Sequence, residues 1–122
     1  MKLLRSWLPA ALWAALIFYL SGVPSLKTSL SYDFILRKCA HAGEYLILTL
    51  LLKRAFEDTF RPGLIFSVIC PASTAFLYAV SDEVHQMSVQ GRSGNIRDVL
   101  FDSLGIAAFF LLAALFRRKS SA

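Results

Sequence analysis

Long charge-free runs alternate with short charged stretches along the chain. Ser6–Leu26 and Pro62–Ser81 contain no charged residue, and about 20 mostly apolar residues are enough for a helix to cross a bilayer. Trp7 lies at the start of the first run, where aromatic side chains sit at the membrane interface. The first run is also long for the core of a secretory signal peptide. These two runs therefore predict two membrane-spanning helices.

Two further apolar segments begin with polar residues. Tyr45–Leu52 and Ser103–Phe116 are apolar, but each follows a stretch that carries several charges. Extending each segment back through that stretch gives a helix long enough to span a membrane. The chain is thus predicted to be one all-α domain, 1–122, forming a four-transmembrane-helix bundle, with helices at about 6–26, 34–56, 62–81 and 96–116. The connections are predicted near 23–33, 57–61 and 82–95. Pro71 lies inside the third helix and predicts a kink there.

Composition supports the membrane class. Of the 122 residues, 57% are hydrophobic and 17% are charged, against about 45–50% and 25% in ordinary domains. A chain this apolar is not disordered, and a soluble domain of this size could not hide so much apolar surface. The net charge of +5 fits basic flanks of membrane helices, and no nucleic-acid partner is expected. Cys39 and Cys70 are too few for a disulfide framework, and both are expected to be buried.

The placement of Lys and Arg predicts the orientation in the membrane, because cytoplasmic flanks carry more of them. With both termini in the cytoplasm, the larger group lies inside: Lys2, Arg5, Lys53, Arg54, Arg61, Arg117, Arg118 and Lys119. The smaller group then lies outside: Lys27, Arg37, Lys38, Arg92 and Arg97. This topology brings the polar starts of the second and fourth helices and the polar end of the third helix to the outer face.

Three polar stretches carry the candidate chemistry, and in each of them, apart from Arg92 in the third, the residues have helical spacing. The first contains Lys38, His41, Glu44 and Tyr45; the second contains Asp82, His85 and Gln86; the third contains Arg92, Asp98, Asp102 and Gly105. Residues three or four apart share one face of a helix. The segment 91–95 is typical of a turn, with Asn95 as a helix N-cap. Ionisable groups in a span are costly unless they have partners or a function.

Several interpretations of these stretches remain open. Histidines beside carboxylates are suited to acid–base chemistry, and the lysine and arginine residues to holding an anionic head group. His41 with Glu44 and Asp82 with His85 have the spacing of helical-bundle metal sites, but the basic residues nearby argue against a metal. An interfacial network that only locks the helices together, with capping by Asn95 and Asp98, would explain the same residues.

The three stretches together resemble the VanZ-like family of bacterial membrane proteins. The resemblance rests on Arg37-Lys38-x-x-His41-x-x-Glu44-Tyr45, on Ser81-Asp82-Glu83-x-His85-Gln86, and on Gly91-Arg92-x-Gly94 followed by Asp98, Asp102 and Gly105. The blocks occur in the family's order and cover residues 37–105. Asp102 departs from the family pattern, in which asparagine is more common. The resemblance implies a small multi-pass protein of the bacterial inner membrane and a link to glycopeptide resistance, because the founding member is associated with teicoplanin resistance.

The leading hypothesis is a polar site at the outer membrane face that binds or acts on an anionic envelope molecule, such as a lipid-linked intermediate. The catalytic candidates are His41, Glu44, Asp82, His85 and Asp98, and the substrate-binding candidates are Lys38, Tyr45, Gln86, Arg92 and Asp102. No metal ligand is assigned, the cofactor is unknown, and enzymatic activity is left open. Membrane lipids are the expected partners. The alternatives are a non-enzymatic membrane scaffold or accessory subunit of an envelope or exopolysaccharide system, which would bind a larger partner, and a transporter-like unit built by oligomerisation.

Overall fold

The computed structural model describes residues 1–22, 33–89 and 96–120. Within these ranges the regular structure is helical throughout and no strand occurs. The helices are α1 (Lys2–Ser21), α2 (Asp33–Thr59), α3 (Cys70–Met87) and α4 (Ile96–Ser120). A π-helical segment, Ile65–Ile69, leads directly into α3. The predicted all-α class is thereby confirmed for the described part of the chain.

The third helix differs most from its predicted bounds. Residues 82–87 are helical, although the sequence predicts that the connection begins at 82. This segment contains no Gly or Pro, and Asp82, Glu83 and Gln86 point into the bundle and are buried, so their polarity does not end the helix. At the other ends, α1 begins at Lys2, α2 extends to Thr59 and α4 extends to Ser120. Residues 23–26 and the turn at 91–95 lie outside the described residues.

Pro71 is accommodated by a change in helix type. Proline has no backbone N–H and its ring crowds the carbonyl four residues earlier. The π-helical segment precedes it, and the N–H of Cys70 bonds to the carbonyl of Ile65, five residues back. π-Helical turns of this kind are a recognised source of helix bends. The disturbance predicted at Pro71 therefore appears as a π-helical segment on its N-terminal side.

The helices run alternately up and down. The start of α1 contacts the end of α2, where the Trp7 indole N–H donates to Thr59 Oγ1 at 2.7 Å. Further along α1, the Trp13 indole N–H donates to the Glu44 carbonyl at 2.9 Å, so these two helices are antiparallel. α2 runs parallel to α4 and packs against α1, α3 and α4. It is therefore the central helix of the bundle.

Among the described residues, three helical stretches are long and apolar enough to cross a membrane: α1, the continuous stretch Ile65–Met87 that includes α3, and α4. Large apolar side chains on these helices face outwards, among them Leu12, Leu77 and Leu111. A lipid environment satisfies such a surface at no cost. Although α2 is the longest helix, its charged residues keep it out of this group.

Small side chains fill much of the interior. Ala10, Ala75 and Ala79 are buried between the helices, and Tyr45 and Leu48 occupy the centre. Small residues at helix interfaces allow the close approach that membrane helices need. The expectation that both cysteines are buried is wrong for Cys39, which is exposed, while Cys70 is half-buried. A thiol is compatible with lipid, so nothing drives it inwards.

The closest approach between helices lies where α2 crosses α4. A Cβ added to Gly105 would lie 2.8 Å from the carbonyl carbon of Ala42 and 2.9 Å from its Cα. No side chain fits there without moving the backbone. Gly105 is therefore the residue that lets α4 touch α2, and the register set there also aligns the polar residues one and two turns earlier on α4.

We expect Gly105→Ala to destabilise the protein by about 1–3 kcal/mol, because the added methyl group overpacks this contact. Gly43→Ala is the matched control. A Cβ at Gly43 meets nothing within 4 Å, and alanine favours a helix by roughly 0.5–1 kcal/mol over glycine. Thermal unfolding of the detergent-solubilised variants, followed by circular dichroism, would measure both. Equal stability of Gly105→Ala and Gly43→Ala would contradict the close contact.

Candidate functional site

The polar residues of four helices meet at one end of the bundle. Ser21 comes from the end of α1, His41 from α2, Asp82 and Gln86 from the end of α3, and Asp102 from α4. These five residues are called the buried polar cluster below. All except His41 are almost fully buried, and His41 is largely covered. The alternating helix directions bring these distant parts of the chain together.

His41 and Asp102 form the link between α2 and α4. His41 Nδ1 lies 3.0 Å from Asp102 Oδ1, a hydrogen-bond distance for a protonated Nδ1 donating to a carboxylate. The Asp102 side chain is 0% exposed. The two helices are parallel here and held close by Gly105, one turn beyond Asp102. A carboxylate bonded to one ring nitrogen fixes the orientation of the imidazole and leaves its other nitrogen for a ligand.

Asp82 is held by neutral donors. The Ser21 hydroxyl donates to Asp82 Oδ1, and the Gln86 amide donates to Asp82 Oδ2 at 3.4 Å and to the Ser21 hydroxyl oxygen at 3.3 Å. A carboxylate offers about four lone-pair positions, so these donors leave part of its accepting capacity unused. The end of α1 is thus tied to α3 through a buried carboxylate.

His41, Asp82 and Asp102 converge on one point. Each offers a nitrogen or oxygen atom, and these atoms all lie within 4.8 Å of one another. Histidine nitrogen and carboxylate oxygen are common ligands of divalent metal ions. The same groups are those used for proton transfer. The geometry therefore supports either kind of chemistry at this point.

Two polar atoms at this point lack a hydrogen-bond partner among residues 1–22, 33–89 and 96–120. They are Asp102 Oδ2 and the Tyr45 hydroxyl, and both side chains are 0% exposed. Leaving a buried polar atom unsatisfied costs about 1–3 kcal/mol. Such atoms are expected where a ligand, ion or water belongs.

A charged pair lies one turn closer to the end of the bundle. The Lys38 ammonium is bonded to the Asp98 carboxylate, and it also lies 5.3 Å from the centre of the Phe101 ring. Beside it, a groove of about 320 Å³ runs between α2 and α4 and is lined by Ile35, Lys38, Cys39, Ala42 and Phe101. The groove is apolar apart from its lysine, so it combines a surface for hydrocarbon with one cationic group.

Not every sequence-predicted residue joins the cluster. His85 stacks on Phe18, with ring centres 4.2 Å apart, and does not belong to the converging group. Glu44 is half-buried and lies one turn after His41 along α2, and its backbone carbonyl accepts a hydrogen bond from the Trp13 indole N–H. Asp98 is paired with Lys38. Arg92, a substrate-binding candidate, lies outside the described residues.

Sequence reasoning missed Ser21. It lies near the end of a charge-free run, where a serine has no neighbouring charge to draw attention. In the structure it is 4% exposed and donates to Asp82. Only its position at the end of α1 could have indicated its role. Because the helices alternate in direction, the end of α1 must lie at the same face as the polar end of α3.

Comparison with known proteins places these residues in a family. The model of the VanZ/LLP1 family matches residues 5–117. A protein of Bacillus subtilis strain 168, named "Uncharacterized membrane protein YwnJ", is 33% identical over 110 residues, covering 84% of this chain and 71% of that protein. No solved structure matches. Every residue of the buried polar cluster falls inside the matched range.

We expect Ser21→Ala to lower stability by about 1–3 kcal/mol, because it removes a donor from the buried Asp82 carboxylate. Ser81→Ala is the matched control. Ser81 is the neighbour of Asp82 in sequence, but it is exposed and its hydroxyl donates to the Tyr78 carbonyl in its own helix, so its loss should change stability by less than about 0.5 kcal/mol. Thermal unfolding in detergent measures both. A Ser21→Ala protein as stable as Ser81→Ala would show that this bond contributes nothing.

Proposed function

The chain belongs to the VanZ/LLP1 family, and from that premise we propose that it is a multi-pass protein of the bacterial inner membrane whose buried polar cluster serves an anionic envelope molecule. The single domain of residues 1–122 crosses the membrane four times, with both termini in the cytoplasm and the cluster near the outer face. The anionic molecule is lipid-linked, and the protein binds it or acts on it. An effect on glycopeptide resistance would follow from such an activity.

The observation that carries this proposal is the convergence of His41, Asp82 and Asp102 inside an apolar bundle. Burying charged groups in a membrane protein costs about 2.5–3.5 kcal/mol each on insertion scales. Small and apolar residues would pack the helices together at a lower free-energy cost. The unsatisfied atoms of Asp102 and Tyr45 support a site that has a ligand over a network that is only structural.

The groove beside Lys38 supports a lipid-linked molecule. Its walls are apolar apart from Lys38, and two of its lining residues, Ile35 and Cys39, are exposed on the surface of the bundle. A hydrocarbon chain lying there would bring its head group beside the Lys38 ammonium. That ammonium, which is bonded to Asp98, carries the compact positive charge that would attract the head group. Lys38 is therefore the proposed anion-holding residue of this groove, with His41 as the acid–base candidate and Asp102 as the group that orients it. Arg92 is a second anion-holding candidate, from the sequence alone.

The four-crossing topology requires α2 to span the membrane despite its charges. Its 27 residues are enough to do so. It is the central helix, and its polar residues are concentrated near its two ends, around an apolar middle. Its neighbours cover much of this surface, so α2 need not be apolar all round. The alternating helix directions agree with four crossings.

The orientation can be tested by cysteine labelling. In a Cys39→Ala, Cys70→Ala background, we expect Ser88→Cys to react with a membrane-impermeant maleimide in intact cells, because Ser88 follows α3 at the cluster end. Ser120→Cys, at the far end of α4, is the matched control and should react only after permeabilisation. The reverse pattern would place the cluster at the cytoplasmic face.

The ligand class can be tested by analysing lipids that co-purify with the full chain. We expect Lys38→Gln and Arg92→Ala each to lower the amount of one anionic lipid several-fold, because each removes a cation from the proposed site. Lys53→Gln is the control, since Lys53 is paired with Glu57 at the opposite end. Mass spectrometry of the extracted lipids gives the comparison. The same lipid profile in the wild type and both site variants would rule out anion binding here.

A second candidate is a non-enzymatic scaffold or accessory subunit. The observation that favours it is that Asp82 and Asp98 are already bonded to neighbouring helices, as structural groups would be. Under this interpretation, His41→Gln and Asp82→Asn lower the amount of folded protein in the membrane, and a larger partner co-purifies. Variants that insert normally but lose the bound lipid would exclude the scaffold.

A further inference from the structure

The geometry points to a metal site: we propose that His41, Asp82 and Asp102 bind one divalent first-row transition-metal ion of the Zn²⁺ class. This inference deepens the proposed function and rests on it, because the ion would lie in the same cluster and attract the same anionic head group. The ligands come from α2, α3 and α4. One imidazole and two carboxylates form a ligand set that suits Zn²⁺ and related ions.

The distances would fit such an ion once the more widely spaced ligand atoms moved together, by up to about 1.4 Å. The three ligand atoms lie within 4.8 Å of one another, and ligands about 2.1 Å from a tetrahedral ion are roughly 3.4 Å apart. His41 Nδ1 and Asp102 Oδ1, at 3.0 Å, already have the spacing of adjacent ligands. A metal ion at this position would replace the proton that these two atoms share, so binding would release a proton.

The charge balance also favours a cation. Asp82 and Asp102 bring two buried carboxylates to one point. The donors to Asp82 that the structure shows, Ser21 and Gln86, are neutral. Two adjacent carboxylates cannot both remain charged in a low-dielectric site without a counter-ion. A divalent ion neutralises both.

Lys38, the basic residue one turn before His41 on α2, bonds to a carboxylate outside this group. Its ammonium is bonded to Asp98, one turn away from Asp102 on α4. Arg37 and Arg97 are exposed. Asp98 is not one of the three proposed ligands, so the ion pair with Lys38 uses none of them.

A second observation independently points to a ligand. Asp102 Oδ2 and the Tyr45 hydroxyl are buried at this point and have no hydrogen-bond partner among the residues the structure describes. An ion would occupy a lone pair of the carboxylate. Tyr45 would then be positioned to bond to a water or an anionic oxygen on the ion. Three protein ligands leave at least one coordination position open, as in catalytic zinc sites.

The test uses the full chain purified in detergent with a histidine-free affinity tag and stripped of metal by a chelator. Co²⁺ is the probe, because its visible absorption reports coordination by nitrogen and oxygen, and Zn²⁺ is then added as the competitor. We expect one Co²⁺ per chain, displaced by Zn²⁺, with the release of a proton. Asp102→Asn and His41→Gln should each weaken Co²⁺ binding by more than roughly 10–100-fold, which is the effect typical of losing a residue that only hydrogen-bonds to a metal ligand.

Asp58→Asn is the matched control. Its carboxylate is also hydrogen-bonded between helices, to the Ser6 hydroxyl, but at the opposite end, so its affinity for Co²⁺ should equal that of the wild type. Size-exclusion chromatography and circular dichroism establish that each variant is folded. Wild-type protein that binds neither ion, or binding that both site variants retain, overturns the inference.

Lipid analysis of the same preparations separates this inference from the proposed function. If the protein binds the metal but no anionic lipid co-purifies, the metal site is supported and the proposed function is rejected. An anionic lipid that depends on Lys38 but binds to protein with no affinity for Co²⁺ or Zn²⁺ would do the reverse.

Discussion

The structure depends on burying two carboxylates, Asp82 and Asp102, between the helices of an apolar chain. Neither can be left to lipid, because a charged or unsatisfied group in hydrocarbon costs several kcal/mol. Each is therefore hydrogen-bonded to a side chain of another helix: Asp82 to Ser21 of α1, and Asp102 to His41 of α2. The positions of the helix ends follow from this requirement. α1 must end where α3 is polar, and α2 must cross α4 where an imidazole can meet a carboxylate.

Close packing of α2 against α4 sets the helix register that these hydrogen bonds require. Gly105 lets α4 lie against the backbone of Ala42, and this contact fixes the register of the two parallel helices. One turn earlier on α4, Asp102 then meets His41, and one turn earlier again, Asp98 meets Lys38. The three contacts follow one stripe along α4. A small residue, a buried carboxylate and an ion pair thus form a single structural unit, in which the first determines the geometry of the others.

Much of this arrangement is predictable from sequence, and the exceptions have physical reasons. Charge-free runs identify two helices, and the spacing of Asp98, Asp102 and Gly105 identifies the stripe on α4, because helical periodicity is local. Choice of partner is not local. His41 meets Asp102 from another helix, although Glu44 lies one turn away on its own helix, and His85 stacks on Phe18. Such pairings depend on helix register, which a single sequence does not encode in any short pattern.

The two ends of the bundle differ in how their carboxylates are satisfied. At the opposite end, Ser6 donates to Asp58 and Lys53 pairs with Glu57, so each of these two carboxylates has a dedicated partner, and both carboxylate residues are only half-buried. Ion pairs and hydrogen bonds of this kind fix helix ends and need nothing further. At the cluster end, two carboxylates and one imidazole share a single point, with polar atoms left over. Helix packing does not require two buried carboxylates and an imidazole at one point, whereas these are groups that bind a cation.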